Sequence, residues 1–485
     1  MSGNLLILFL VFFPFAAGLV NYLLGRHNKT GRDRVAILIT AIELAATIVL
    51  VAMSLETPTD LYWEGFAGFG LHFRADGFRL VMTMIAAITW FFTTVQSIEY
   101  FNKLNGRNRN RYYMFMLWTL GATMAIFLSA NLYTTFIFFE VMTFTSYVLV
   151  IHGESEKAID ASKSYLGFGV LGGLVTLMGL FMLQANIGTL EMDQILSAIQ
   201  SSGTSYGMVL ASGLLILFGF GVKAGMYPLH TWLPKAYVAA PEPATALLSA
   251  VLSKAGIFGI FVVTGQILLH DYTWGLVILI AGTLTMLTGA MLAVFSTNFK
   301  RTIACSSMSQ IGFILVGTGM QAVLGEHNAI AVQGSVLHLV NHSFIKLALF
   351  MVAGIIFILA DLGVSSMQID DPERGFSYKV DAPLDLRMNP NKGESAIERL
   401  QSITQDELAG MLYENSDEPY AEEIAEEIFK RKKNGNPVKT TTDLRNVIEE
   451  ALSFLPKNNE LKDIIKKTCQ RVFQALRIDV NSEFE

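Results

Sequence analysis

The sequence predicts an all-α polytopic membrane protein of about 11 transmembrane helices, followed by a small, mostly helical domain on the cytoplasmic side. Two observations carry this. Hydrophobic residues make up 52% of the 485, and apolar runs recur from the first residues on; about 20 such residues span a bilayer as a helix. The second observation is a split in charge. Residues 1–360 hold 18 Lys/Arg and 16 Asp/Glu, while the rest hold the remaining 17 and 25. The net charge of −6 is therefore +2 from the first stretch and −8 from the second. Two materials meet near residue 360.

Spans are expected near 4–25, 35–54, 77–99, 112–130, 131–151, 163–185, 206–227, 243–268, 274–296, 301–320 and 328–358. The first is long enough to cross and lacks a basic lead, so it does not read as a cleaved signal peptide. The connections RHNKTGRDR (26–34), NKLNGRNRNR (102–111) and NFKR (298–301) are basic. ETPTDLYWEGF (56–66) and TLEMDQ (189–194) are acidic. The alternation places the N-terminus outside and the C-terminal domain in the cytoplasm. MYPLHTWLPKAYVAAPEP (226–243), rich in proline, should break the helices against protein or water, because lipid cannot satisfy an opened backbone.

Beyond residue 360, QDELAGML, YAEEIAEEIFKRKK and TTDLRNVIEEALSFLP place apolar residues at helical spacing between charged faces. Thr440, Thr441 or Thr442 can cap the last of these, with Asp443 following. Cys305 and Cys469 are the only cysteines and support neither a disulfide framework nor a metal site.

Four ionisable residues lie deep in spans: Glu140 in FIFFEVMTFTSYVLV, Lys223 in LILFGFGVKAGMYPLH, Lys254 in SAVLSKAGIFGIFVV and Lys346 in VLHLVNHSFIKLALFMVAG. His338 and His342 precede Lys346 at four-residue steps, on one helix face. Charge in hydrocarbon is costly and marks ion paths or proton relays. Any one such residue can snorkel or pair statically; four together at mid-span point to a route for protons through groups that exchange them with water or a neighbour. His230 and Pro228, beside the break, are candidates for a gate, with simple packing the alternative for His230. His338 and His342 could bind zinc, but no carboxylate or cysteine nearby completes a site, so no metal is expected. GVLGGLV (169–175) reads as close helix packing.

FFEVMTFTSYVLV, GFGVKAGMYPLHTWLPKAYVAAPEPATALLSAVLSKAGIFG and LHLVNHSFIKLALF resemble the antiporter-type membrane subunits of respiratory complex I, membrane-bound hydrogenases and Mrp sodium/proton antiporters, over roughly residues 1–355. The resemblance implies inverted five-helix repeats with a broken seventh helix. It implies that Glu140 of the fifth helix pairs with Lys223 of the seventh, that Lys254 of the eighth passes protons onward, and that His338, His342 and Lys346 form the polar axis of the eleventh. The family's broken twelfth helix has no counterpart in this sequence.

ADLGVSSMQIDDPERGFSYKVDAPLDLRMNP (360–390), YAEEIAEEIFKRKKNGNPVKTTTDLRNVI and FQALRIDVNSE are similar to the ribosomal RNA small subunit (cytosine-N4) methyltransferase H family, over residues 356–485. That resemblance implies S-adenosylmethionine as cofactor, touched by Asp361 and Gln368, through the polar groups a strand end offers a nucleoside-like ligand. The family's glycine-rich first loop, first three strands and last portion have no counterpart. Lys430, Arg431, Lys432 and Lys433 could contact phosphates, although the local net charge of −8 opposes RNA.

The expectation is a translocating domain at 1–358 and a methyltransferase fragment at 359–485, made of a strand end and a helical insertion. The first moves protons, or sodium and protons, in an inner cell membrane. It has no cofactor of its own and is one membrane component of a complex I-like NADH-quinone oxidoreductase, a hydrogenase or an Mrp assembly. The alternatives are an S-adenosylmethionine-dependent ribosomal RNA methyltransferase anchored by the spans, with RNA as partner, and a chimera in which neither half works.

Overall fold

The protein is described from a computed structural model, which covers residues 3–55, 57–66, 70–103, 108–359, 381–387, 393–456 and 459–481. Two compact units form, Met1–Phe357 and Ile358–Glu485.

The first unit begins with α1 (Gly3–Gly25) and α2 (Lys29–Ser54). Next comes an antiparallel hairpin of β1 (Thr59–Trp63) and β2 (Leu71–Ala75), in register from Thr59 opposite Ala75 to Trp63 opposite Leu71. The acidic loop of the sequence reading is thus partly strand. There follow α3 (Gly77–Lys103), α4 (Arg109–Leu128), α5 (Leu132–Val150), α6 (Glu156–Ile187), the short α7 (Ile195–Ser202) and α8 (Tyr206–Ala224). The unit ends with α9 (Trp232–Ala239), α10 (Glu242–Leu247), α11 (Ser253–Val262), α12 (Tyr272–Val294), α13 (Phe299–Val323) and α14 (Ala329–Leu359). Among the described residues, 10 helices are long and apolar enough to cross a membrane. A helix stands at each of the stretches expected to span; α4, with its basic first turn, is the one outside those 10. The protein is a multi-pass membrane protein.

Helix starts follow capping chemistry. Asn28, Asn131, Ser155, Asp271 and Asn298 each accept a backbone N–H of the first turn, satisfying a donor that the helix leaves open. Close packing follows small residues: a Cβ at Gly282 of α12 would meet the Val316 nitrogen of α13 at 2.8 Å, so the two backbones touch there.

The expected break is present. α8 stops at Ala224 because Gly225 takes φ +79°, and its N–H turns back to the Gly221 and Val222 carbonyls. Residues 232–239, inside the stretch read as broken, form the two-turn α9. A second irregularity was not foreseen: a π turn at Leu248–Leu252 joins α10 to α11.

The second unit has α15 (Ala396–Ser402), α16 (Gln405–Ser416), α17 (Ala421–Lys433), α18 (Thr441–Ala451) and α19 (Asn459–Val480). Leu408, Leu412, Ile424, Leu444 and Val447 are fully buried in its core. Thr440 is the cap of α18, in a capping box with Asp443. Asp361 and Gln368 lie outside the described residues.

Candidate proton-relay site

α5 presents Phe139, Glu140, Thr143 and Ser146 along consecutive turns. Oε1 of Glu140 is buried and accepts no hydrogen bond. A Cβ at Gly173 of α6 would collide with this carboxylate, so a glycine there is what leaves it room. Lys223 occupies the last turn of α8, 4% exposed, where the helix dipole favours a cation. Its ammonium donates to the Tyr165 hydroxyl at 2.5 Å and to Thr143 Oγ1 at 3.3 Å. It also lies 4.7 Å from the Tyr165 ring and 5.9 Å from the Phe139 ring. Tyr165 shares a second hydrogen bond with Ser146 Oγ at 2.5 Å. Lys223 therefore touches both neighbours of Glu140 on the helix face, and no ion pair closes between the two. The pair that the resemblance implied is electrostatic rather than a direct contact: the Glu140 carboxylate lies within reach of the Lys223 charge.

The break supplies the next contacts. At the end of α8 the Val222 carbonyl, which takes the Gly225 N–H, also accepts Trp232 Nε1–H at 2.8 Å. The Trp232 ring lies 5.0 Å from Tyr165 and 6.3 Å from Tyr237. The Tyr237 hydroxyl donates to the Leu248 carbonyl at 3.0 Å, in the π turn. An aromatic row thus leads from the Lys223 cluster to the segment that carries Lys254.

Lys254 is 1% exposed. Its ammonium donates to the Ser249 carbonyl at 2.5 Å, five residues back, a reach that the π turn sets up. Ser249 Oγ lies 2.9 Å from Ser307 Oγ on α13. Ser307 donates to the Ile303 carbonyl at 2.9 Å. The same carbonyl accepts from Lys346 Nζ at 3.2 Å, and Lys346 also donates to Ser306 Oγ at 2.5 Å. Lys254 and Lys346 are therefore joined by two serine hydroxyls and two carbonyls. None of the acceptors is charged.

His338 and His342 stack with rings 6.3 Å apart and 17° between planes. Nε2 of His338 and both ring nitrogens of His342 are buried without a hydrogen-bond partner. Both rings lie within electrostatic reach of Lys254. His230 stacks on Tyr227 at 5.7 Å and lines a cavity of about 1040 Å³ with Lys163, Lys235 and Arg301. Pro228, at the same turn, is exposed and does not line it. No group of three or more His, Cys, Asp or Glu able to hold a metal stands among the described residues.

Sequence reasoning passed over Thr143, Ser146, Tyr165, Tyr237, Ser249, Ser306 and Ser307. It also passed over the largely buried Lys300–Glu242 ion pair at 3.2 Å and Glu43 of α2. Glu43 is 1% exposed with neither carboxylate oxygen partnered.

Comparison with known proteins places these elements. Residues 129–367 match the family model described as NADH:quinone oxidoreductase/Mrp antiporter, TM, and residues 326–485 match the MraW methylase family. A component of the Na(+)/H(+) antiporter of Alkalihalophilus pseudofirmus is 28% identical over 365 residues, which is 72% of this chain and 70% of that one. The ribosomal RNA small subunit methyltransferase H 1 of Agathobacter rectalis is 69% identical over 134 residues, 28% of this chain. The chain spans only 38% of the length of that methyltransferase. A chain of the membrane-bound sulfane sulfur reductase, an archaeal respiratory membrane complex, shares the fold with TM-score 0.65 at 21% identity, over 98% of this chain and 87% of that one. The chain thus holds a membrane stretch, residues 129–367, that matches the NADH:quinone oxidoreductase/Mrp antiporter family model, followed by a segment that matches the MraW methylase family model.

Proposed function

We propose that residues 1–358 translocate protons, or exchange sodium for protons, along the line Glu140, Lys223, Lys254, His338, His342 and Lys346. The observation that carries this reading is the link Lys254–Ser249–Ser307–Lys346. A buried lysine locked to a carboxylate keeps its proton; breaking such a pair strands a charge. Lys254 and Lys346 are held by carbonyls and hydroxyls alone, so each ammonium is stabilised by dipoles while its proton stays exchangeable. Serine hydroxyls both accept and donate, so Ser249 and Ser307 can turn to hand a proton on, with water bridging the carbonyl step. The unpartnered nitrogens of His338 and His342 offer a parallel acceptor pair. Glu140 and Lys223 stand at the loading end, and His230 with Pro228 gates the turn between them and the aqueous end.

The basic loops 26–34 and 102–111 face the cytoplasm, the N-terminus lies outside and the membrane is the inner cell membrane. Other membrane proteins of an Mrp, hydrogenase-linked or complex I-like assembly are the partners; the antiporter and the respiratory complex named above support this. The experiment is proton flux into vesicles reconstituted with the purified chain, read by an interior pH dye. Lys254→Ala should stop it. Flux unchanged in that variant removes Lys254 from the path.

S-adenosylmethionine-dependent methylation of ribosomal RNA is the second reading, favoured by the identity of the C-terminal segment to a methyltransferase. Its two implied contacts, Asp361 and Gln368, lie outside the described residues. Among the described residues of the second unit, strand-type pairing is limited to one bridge, Pro383 to Thr440. The described residues of that unit thus supply no sheet for a nucleoside pocket. Calorimetry of S-adenosylmethionine with the full chain tests it: tight binding would revive this reading.

A further inference from the structure

Residues 29–34 and 108–111, from two basic connections of the sequence, come together in space. A pocket of about 1140 Å³ is lined on one side by Lys29, Arg32 and Arg34 of α2, and on the other by Arg109 and Arg111 of α4. Among the described residues, Asp33 is the one carboxylate that lines it. Asp33 is already engaged, accepting Arg32 Nε–H at 2.8 Å. Arg32 is 4% exposed on its side chain and donates Nη1–H to Asn110 at 2.7 Å, so it ties the two walls together. Arg111 is held by Glu154 at 2.5 Å, while its buried Nε–H has no acceptor. Lys29 and Arg34 are exposed and make no ion pair among the described residues. The pocket therefore holds four more cationic than anionic side chains in its wall, with two cations unspent.

Its floor is different. Tyr22, Ile37 and Ile98 line it one or more turns further into the spans. Leu19 and Leu23 of α1 and Leu38 of α2 are about half exposed, at 48%, 50% and 57%. A charged mouth above an apolar, lipid-facing wall matches one class of ligand: a phosphate ester with acyl chains attached. Basic pockets between membrane helices recognise such headgroups through charge and through arginine's fork of donors.

We propose that this pocket binds the phosphate ester of an anionic phospholipid, with Lys29 and Arg34 closing on the phosphate and the acyl chains running down α1 and α2. Nothing in the relay depends on it.

The test is native mass spectrometry of the full chain in detergent, titrated with phosphatidylglycerol or phosphatidylcholine. The expected result is preferential retention of phosphatidylglycerol, weakened about thirtyfold in the double variant Lys29→Gln/Arg34→Gln, at about fivefold per charge removed near an anionic lipid. Neither substituted side chain makes a hydrogen bond or ion pair among the described residues, and the melting temperature in phosphatidylcholine micelles should be unchanged, which separates lost binding from lost fold. A competition arm with glycerol 1-phosphate distinguishes the sources. Failure to displace the lipid supports a lipid site. Displacement at equal affinity supports the phosphate site and assigns it to a soluble ester. Equal retention of both lipids, or a double variant that binds as the parent does, overturns the proposal.

Discussion

Lys254 and Lys430 are the same side chain in two surroundings. Lys430 sits on α17 in the second unit, largely exposed, with Glu427 one turn back at 2.9 Å. Lys254 sits in the membrane unit, 1% exposed, with only neutral oxygen around it. Around Lys430, water carries the charge and the ion pair adds little. Around Lys254, the protein must supply every dipole. The apolar residues invert in the same way. Leu444 is fully buried in the second unit, whereas Leu337 in the middle of α14 is 71% exposed. In a bilayer an exposed leucine costs nothing, because hydrocarbon is its solvent.

The comparison breaks first at Lys254. Lys254→Ala should abolish proton flux in vesicles, while Lys430→Ala leaves it intact; equal behaviour of the two would end the relay reading. Leu444→Ala should destabilise the second unit by about 3 kcal/mol through the cavity it leaves, read as a shift in its denaturant midpoint. Leu337→Ala should cost under about 0.5 kcal/mol in lipid, as for other surface changes.

Ser307→Ala tests the link between the lysines. It removes one hydroxyl bridge and should slow flux about tenfold, the worth of one hydrogen bond near 1.4 kcal/mol. Ser249→Ala combined with it should slow flux no further, because both serve one bridge; an additive loss would show that they act separately. On the water side, Thr440→Ala removes the cap of α18 and should cost about 1 kcal/mol, measurable in the same unfolding curve as Leu444→Ala.

The smallest effect is one of pH. His72 of β2 contacts Glu191 at 2.6 Å and Asp60 at 3.1 Å. The hydrogen bond to Glu191 chiefly raises its pKa above the ordinary 6.5, against some opposing burial. A raised folded value means that the contact stabilises fully below about 6.5 and is lost as pH climbs through the raised value. The protection factors of the β2 amides, with the intrinsic base-catalysed exchange rate divided out, should therefore fall on going from mildly acidic to alkaline solution, and His72→Gln should flatten that dependence. Protection factors independent of pH in the parent chain would remove the charge from the contact.

The spans, the break after Lys223 and a threonine cap within 440–442 were legible because each rests on local rules: apolar length, proline and glycine, and a hydroxyl ahead of acidic residues; which of the three threonines caps was decided by the fold. The hydroxyl bridges were not. A serine in a membrane helix usually bonds the carbonyl one turn back, as Ser212 does to Met208 and Ser335 to Ala331. Nothing in SSMSQ distinguishes Ser307, which does the same to Ile303 and also meets Ser249 across the helix interface. Glu43 was as visible as Glu140, a lone charge in an apolar run, but it lies within no motif that would have given it a role.

The sequence by itself determined that most of this chain lives in lipid, where it turns, and which charges it keeps in oil, since hydropathy and turn chemistry act over a few neighbouring residues. The tertiary structure alone decided that Lys223 leans on Tyr165 rather than on Glu140, that two lysines share a line of serines, and that two distant basic loops make one pocket. Those contacts join helices whose rotation and depth are set by packing against one another, and no stretch of a single helix encodes them.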